Sequence, residues 1–329
     1  MDKGGIGLEE EDERLFYTNL YTYLKYDYTS PNKDHSFSVM AGYSQEDEKY
    51  QSIKAYRRDY PFDLPTLDAG GKTGMTNGGD SDKGSEREWA LMSGFARINY
   101  NYKDRYLAEV NARYDGSSRI AKDGRWGLFP SFSLGWRLTE EEFIKNADLS
   151  WLSNAKVRGS WGQLGNQNIG YYPYQAMIAG VDAYPFDKKN ESLAYSQKVY
   201  ANQNIKWETT TITDIGADFQ FLHRLNVTFD WYNKVTKDIL RGSQVSYLLG
   251  LDAPTVNNGT LENKGIELAV NWNDVIQSGI FKGLEYNVGF YVDRSRNKLI
   301  DFGDVEYKNH GILQEGLPYG QYYMLECIG

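Results

Sequence analysis

The amino-acid sequence predicts an all-β protein, a partial antiparallel transmembrane β-barrel with long extracellular loops. Three observations lead to this prediction. Apolar and polar residues alternate with a period of two along about ten segments. These segments are longer than the strands of most globular proteins, and the connections between them fall into a short and a long class.

The composition excludes several classes of function. The 329 residues include 36 Lys and Arg against 45 Asp and Glu, and the resulting net charge of −9 argues against a nucleic-acid partner. A single Cys and three scattered His leave no disulfide framework and no metal site. Neither a G-x-S-x-G motif nor a phosphate-binding P-loop occurs. We therefore expect a protein that is not an enzyme, has no catalytic residues and takes no cofactor or metal.

The alternation is clearest at residues 105–115. Even-numbered positions there are apolar and odd-numbered positions are mostly polar, as in a strand with one apolar face. The apolar positions are Tyr106, Ala108, Val110, Ala112 and Tyr114. In chain order, the sequence predicts strands near residues 14–28, 35–48, 88–102, 105–115, 129–138, 154–163, 205–221, 225–237, 263–274 and 284–298.

Strand length favours a membrane barrel. Apolar residues occupy every second position from Leu225 to Trp231, from Ile266 to Trp272 and from Leu284 to Val292. Most of the predicted strands have about 9–15 residues, whereas a globular strand usually has about 5–6. A strand that crosses a bilayer at a tilt needs about 9–11 residues. The prediction is therefore a membrane barrel rather than a soluble sandwich.

The connections also match an outer-membrane barrel, which has short turns at one end and long loops at the other. The short connections are 29–34, 103–104, 222–224 and 275–283, with a moderate one at 139–153, and the long ones are 49–87, 116–128, 164–204, 238–262 and the segment after 298. Within the moderate connection, Thr139 followed by Glu142 predicts a helical turn that Thr139 caps.

Aromatic residues cluster near the ends of the predicted strands. Rings with an apolar body and a polar tip suit the two membrane interfaces. The alternative is that they are ordinary core aromatics. The examples are Tyr100, Tyr102, Trp126, Trp136, Trp231, Tyr232 and Trp272.

A series of separated motifs runs through the chain after about residue 85. It begins with the run Asn111–Arg119, continues with Gly127–Arg137 and Leu152–Gly162, and includes Asn263–Glu267 at the start of a strand and Gly316–Gly320 near the end. In content and order, this series closely resembles the barrel of the SusC/RagA-type TonB-dependent outer-membrane transporters.

The resemblance implies that residues 1–329 form a partial TonB-dependent receptor barrel domain, about ten strands of a 22-stranded barrel in the outer membrane. Such transporters import oligosaccharides or oligopeptides, usually under a SusD-like surface lipoprotein, and the TonB complex energises them. This sequence shows no signal peptide, plug or TonB box and stops before the family's last strands. We therefore expect an interior piece of a barrel that does not insert stably alone, because its edges would be unpaired.

Two groups of residues are candidates for contact with a substrate. Arg113, Asp115 and Arg119 lie near the outer end of one strand and form either a charged rim or lumen patch, or an ion-pair network in the barrel wall. The loop 164–204 is rich in tyrosine, which stacks on sugar rings or peptide side chains in an exposed loop but also occurs in a self-packed loop. The candidate tyrosines are Tyr171, Tyr172, Tyr174 and Tyr184.

Lys156, Arg158 and Ser160 share one face of the predicted strand 154–163, which we expect to line the lumen. There they either contact a plug or pack within the wall.

Two other interpretations remain open from the sequence. A soluble β-sandwich could recognise glycans through tyrosine-rich loops. An outer-membrane barrel enzyme or a closed ten-stranded barrel is also possible, since the strand count is even. A sandwich would cover Val110, Val270 and Phe290 with a second layer, whereas a barrel would leave them facing lipid.

Overall fold

The computed structural model describes residues 7–57, 60, 66–70, 83–147, 149–185, 191–243, 245–308 and 310–324. The predicted all-β fold is confirmed, because ten long strands form one sheet and follow one another in chain order. In chain order the described strands are β1 (Leu8–Thr29), β2 (His35–Arg57), β3 (Lys83–Tyr102), β4 (Tyr106–Ser117), β5 (Trp126–Arg137), β6 (Leu152–Asn166), β7 (Ile178–Pro185), β8 (Glu191–Gln197), β9 (Glu208–Phe221), β10 (Leu225–Lys237), β11 (Leu240–Gly242), β12 (Thr255–Asn257), β13 (Thr260–Val275), β14 (Glu285–Asp301), β15 (Glu306–Lys308), β16 (Gly311–Leu313) and β17 (Gln321–Tyr322).

The large sheet has the strand order β1-β2-β3-β4-β5-β6-β9-β10-β13-β14. The short strands form separate small sheets, β7 with β8, β11 with β12, and β15 with β16 and β17. Helical structure among the described residues consists of single turns, at Leu67–Ala69, Leu138–Glu140, Glu142–Lys145 (α1) and Tyr247–Leu249. All the small sheets belong to the connections that the sequence predicts to be long.

The chain divides into two compact units. The first consists of residues 1–21 and 44–92. Its strands are joined by side chains on neighbouring strands: the Tyr50 hydroxyl donates to Glu13 Oε1 at 2.7 Å, and Lys54 Nζ lies 2.7 Å from Glu9 Oε1. The acidic run at the amino end is thus part of a strand with basic and hydroxyl partners.

The second unit consists of residues 22–43 and 93–329 and contains β4 to β14. Two of its hairpins close with three-residue connections in which the first two residues have positive φ, Lys103 (53°) with Asp104 (54°) and Leu222 (53°) with His223 (57°). Successive residues with positive φ match the right-handed twist of paired strands, which is why such turns close hairpins. A short connection also fixes the register of the strands that it joins.

The register gathers apolar residues into rows on one face. Val110 pairs with Phe132, which pairs with Trp161. On the carboxyl-terminal side Val227 pairs with Val270, which pairs with Phe290. Because side chains alternate along each strand, the residues between these positions form a polar face.

Three expectations about local structure need correction. Thr139 does not cap the helical turn, since it lies inside Leu138–Glu140 and the residue that precedes α1 is Glu141, without a side-chain capping bond. Tyr232 is not part of an outward aromatic girdle, because it alternates with Trp231 and lies over Gly265 on the polar face. Several strands also extend beyond their predicted ends, as β2 does to Arg57.

Candidate functional site

The apolar face of the second unit is uncovered. Val110 is 53% exposed and Phe290 is 61% exposed, and Val270 between its neighbours is partly exposed. In a sandwich these three residues would be sealed between layers, so the described residues contradict that arrangement. The polar face of the same strands carries a connected group of charged side chains, and it is the candidate functional site.

Arg158 on β6 is the centre of the polar face. Its Nη1 lies 3.1 Å from Asp214 Oδ1, its Nε lies 3.2 Å from Asp218 Oδ2, and its Nη2 lies 2.6 Å from Asp230 Oδ1. Asp214 and Asp218 are on β9 and Asp230 is on β10, so one guanidinium links three adjacent strands. The planar group with its five donors suits such multiple carboxylate contacts better than a lysine would.

Gly216 makes room for this contact. It lies between Asp214 and Asp218 on β9 and pairs with Arg158 on one side and with Asp230 on the other. A Cβ at Gly216 would lie 2.5 Å from Arg158 Cζ and 2.5 Å from Asp230 Oδ1. The guanidinium therefore occupies the space of a missing side chain.

The cross-strand row that begins with Arg158 and Gly216 continues to β13 and β14 with an excess of negative charge. Asp230 pairs with Glu267 on β13, and Glu267 pairs with Asp293 on β14. Together with Asp214 and Asp218, these residues outnumber the cation Arg158. The carboxyl-terminal half of the polar face can therefore attract cations and hydrogen-bond donors.

A cavity of about 540 Å³ opens on the polar face beside Arg158. Its volume falls in the range of small-molecule sites, and its lining mixes charged, amide and hydroxyl groups. The polar lining residues include Asn99, Glu109, Ser133, Lys156, Arg158 and Asp214. The predicted group Lys156, Arg158 and Ser160 does lie together here.

Two of the predicted rim charges form an ion pair. Arg113 Nε lies 2.7 Å from Asp115 Oδ1, and Arg113 Nη2 donates to Ser93 Oγ on β3 at 2.7 Å. Arg119 lies beyond the end of β4, and its Nη1 donates to the carbonyl of Ile169 at 3.2 Å. These contacts are those of a wall and loop network, and substrate contact by the three residues stays a prediction.

Three of the candidate tyrosines pack against the loop that follows β4. The Tyr174 hydroxyl donates to the carbonyl of Ser118 at 3.2 Å, and the Tyr171 ring lies 5.1 Å from Arg119 Cζ. The Tyr172 ring meets Tyr174 edge-on at 6.0 Å. All three are half-buried, so these contacts are consistent with a self-packed loop.

The other tyrosines of this loop are Tyr184, Tyr195 and Tyr200. Tyr184 belongs to β7, but its side chain lies outside the described residues. Tyr195 and Tyr200 are 67% and 56% exposed, so they offer more ring surface to a ligand than the three packed tyrosines do.

At the short-turn end of the sheet, the buried Glu141 carboxylate holds two aromatic side chains of the apolar face. Its Oε1 accepts the Tyr106 hydroxyl at 2.7 Å and Trp136 Nε1 at 2.9 Å, and its Oε2 lies 3.0 Å from Arg105 Nη1. The hydrogen bond from Tyr106, together with that from Trp136 and the positive charge of Arg105, lowers the pKa of Glu141 below its ordinary value. Sequence reasoning missed this role because it assigned the turn to Thr139.

The described parts of the chain offer neither a metal site nor a membrane-spanning helix. They contain no cluster of three or more His, Cys, Asp or Glu residues arranged to hold a metal ion. None of their helices is long and apolar enough to cross a membrane.

Comparison with known proteins agrees with this architecture. The family described as TonB dependent receptor-like, beta-barrel matches residues 5–318. TonB-dependent receptor SusC of Bacteroides thetaiotaomicron is 39% identical over 204 residues, which cover 60% of this chain and 20% of SusC. TonB-dependent receptor P3 of Formosa agariphila is 28% identical over 344 residues, which cover 99% of this chain and 33% of P3.

Solved structures show the same fold. The RagAB peptide transporter superposes with a TM-score of 0.82 at 21% identity, over 94% of this chain and 34% of the RagAB chain. The chain thus spans about a fifth to a third of the length of the relatives that it matches. Because the family match covers nearly all of its residues, this chain belongs to the TonB-dependent receptor-like β-barrel family.

Proposed function

We propose that this chain forms wall strands and outer loops of an outer-membrane, TonB-dependent transporter that imports oligosaccharides or oligopeptides. The observation that carries the proposal is the division of the long strands of the second unit into an uncovered apolar face and a charged face. Strands of outer-membrane barrels alternate in this way because one face meets hydrocarbon and the other an aqueous lumen.

In this role the chain guides a solute and does not transform it. The row around Arg158 and the cavity beside it line the lumen. The outer loops carry the candidate contacts with substrate or partner, Tyr171, Tyr172, Tyr174 and Tyr184, and Arg113, Asp115 and Arg119 brace the rim.

Two partners belong to the proposal. A SusD-like surface lipoprotein covers the outer loops, and the TonB complex supplies energy from the inner membrane. The match to SusC, which is a TonB-dependent receptor, supports the TonB complex as a partner, and the peptide transporter RagAB, which shares the fold, makes peptides one candidate class of substrate.

Site-specific labelling tests the two faces. Cys327→Ser removes the single cysteine of this sequence, and every cysteine elsewhere in the whole gene is replaced by serine as well. In this cysteine-free background we would place Val110→Cys on the apolar face and Ser160→Cys on the polar face, in protein expressed from its whole gene. We expect a fluorophore at residue 110, but not at residue 160, to be quenched by lipids that carry a nitroxide in their acyl chains. Equal quenching would contradict the proposal.

Growth experiments then separate the substrates. A strain without the gene should lose growth on either purified oligosaccharides or oligopeptides, and the whole gene should restore it. Unchanged growth and uptake on both classes would argue against an importer.

A further inference from the structure

We propose that the outer end of β14 binds the phosphate of an anionic lipid in the outer leaflet through Arg294, Arg296 and Lys298. This inference rests on the proposed placement of the sheet in the outer membrane. It assigns a ligand class to a surface outside the lumen and the loops.

The three cations directly follow the apolar positions of β14. The even-numbered residues of β14 lie on the apolar face, where Val288, Phe290 and Val292 are 63%, 61% and 46% exposed. The same two-residue spacing places Arg294, Arg296 and Lys298 next on that face, and all three side chains are exposed. The cations therefore begin where the apolar band ends, on the side of the long loops.

The charges around the three cations of β14 are not balanced. Arg296 pairs across the strands with Lys264, and Lys298 pairs with Glu262. The Glu262 carboxylate already has a partner, because Lys264 Nζ lies 2.8 Å from its Oε1. On the side of β13, which is the one neighbour of β14 in the sheet of the described residues, none of the three β14 cations forms an ion pair. Like charges placed directly opposite are destabilising, so this surface favours an added anion.

At the level of Arg296, the positive charge is confined to β13 and β14. In the row of Lys264 and Arg296, the next strands carry Asn233 on β10 and Thr213 on β9. The positive charge thus does not continue across these strands at this level. They stand out further because the chain as a whole has a net charge of −9.

A lipid fits this surface better than a soluble anion does. Acyl chains that lie along Val288, Phe290 and Val292 bring the headgroup to the level of Arg294. The long side chains of arginine and lysine keep their stems on apolar surface while their charged ends reach outward to phosphate. Successive cations on one strand face lie about 6.6 Å apart, close enough for two of them to contact one phosphate group.

Lipid retention tests the proposal. The protein, expressed from its whole gene and purified from outer membranes in a zwitterionic detergent, is mixed with micelles that contain dioleoylphosphatidic acid or dioleoylphosphatidylcholine. Native mass spectrometry counts the bound lipids. We expect tighter retention of phosphatidic acid, a roughly five-fold loss for Arg296→Gln, and a loss of about 100-fold for Arg294→Gln/Arg296→Gln/Lys298→Gln, as expected for cations near an anionic surface.

The control removes the same charge elsewhere. Lys33→Gln/Lys122→Gln/Lys282→Gln changes three exposed turn and loop lysines and should retain phosphatidic acid like the wild type. Unchanged retention in the β14 triple variant overturns the inference, as does complete competition by inorganic phosphate at the concentration of the lipid. Absence of the wild-type protein from outer membranes contradicts the proposed function as well, whereas correct location with unchanged retention contradicts this inference alone.

Discussion

At the scale of single residues, Gly216 explains how three carboxylates share one cation. Arg158 lies across the backbone of β9 and reaches Asp214, Asp218 and Asp230 from there. Any side chain at Gly216 would have to displace Arg158 or Asp230, because its Cβ would lie 2.5 Å from an atom of each. The absence of a side chain is therefore as important to this contact as the charges are.

Gly216→Ala should lower the stability of the folded barrel by about 1–3 kcal/mol, the usual cost of forcing atoms into an occupied site. Thermal unfolding of the protein in detergent, followed by the heat-modifiable band on gels, measures the effect. Gly159→Ala is the matched control, since the nearest atom to its Cβ is the Asp214 carbonyl oxygen at 3.8 Å. Equal melting of the two variants would show that the space at Gly216 does not matter.

Part of this cluster could be predicted from the sequence. The three-residue connection 222–224 pairs Phe221 with Leu225, and stepping back along both strands pairs Gly216 with Asp230. Arg158 could not be placed in the same way, because the connection between β6 and β9 contains 41 residues, from Gln167 to Trp207. Alternation fixes which face a residue takes but not which residues of distant strands lie opposite each other.

At the scale of elements, the predicted strands are accurate where one face is apolar. Residues 225–237 are predicted and found as a strand. The outer ends were harder to predict, as in β13, which begins at Thr260 rather than near residue 263. Both faces are polar there, so the period-two signal disappears although backbone pairing continues. For the same reason, the sequence did not predict the short hairpin of β11 and β12.

The connection between β5 and β6 provides a test by pH. Because the pKa of Glu141 is lowered in the folded protein, its contribution to stability is complete above the ordinary carboxyl pKa and is lost as the pH falls through the folded value. Between about pH 5 and pH 3, the wild type should therefore lose more stability than Glu141→Gln does. Thermal unfolding followed by tryptophan fluorescence measures this difference. Glu142→Gln, which removes an exposed neighbour, should follow the wild type, and parallel pH profiles for all three proteins would contradict the assigned role.

At the scale of the whole molecule, the outer loops of the second unit form one structure. Asn257 Nδ2 donates to the carbonyl of Lys206 at 2.8 Å, and Asn202 Nδ2 donates to the carbonyl of Thr255 at 2.9 Å. Ile120 and Ile205, from two different loops, are buried to 0% and 1% exposure. Two of the largest fully buried side chains thus lie in the connections, whereas the sheet leaves its apolar face open.

Ile205→Ala should loosen this loop structure, because removing a buried branched side chain costs about 2–5 kcal/mol. Limited proteolysis of the protein in outer membranes should then cut the loop between β8 and β9 faster than in the wild type. Leu248→Ala is the control, since Leu248 is 96% exposed and its loss leaves no cavity. Similar cleavage rates for both variants would show that the loops do not depend on the buried isoleucines.

The substrate class could not be predicted at this scale for a physical reason. Specificity requires side chains from several loops to meet around one solute, and the spacing of residues along the chain does not give their arrangement in space. The resemblance supplied the family and the fold, whereas the contacts of Tyr171, Tyr172 and Tyr174 emerged only with the coordinates.

The fit of Arg158 over Gly216 also bears on how the strands find their partners during assembly. A slip of two residues between β6 and β9 keeps every side chain on its proper face, so hydrophobicity alone does not reject it. Such a slip would set Asp214 or Asp218 opposite Arg158, where the aspartate side chain fills the space that the guanidinium needs. Gly216 thus disfavours a two-residue shift in register between β6 and β9, which the distribution of apolar and polar residues alone would permit.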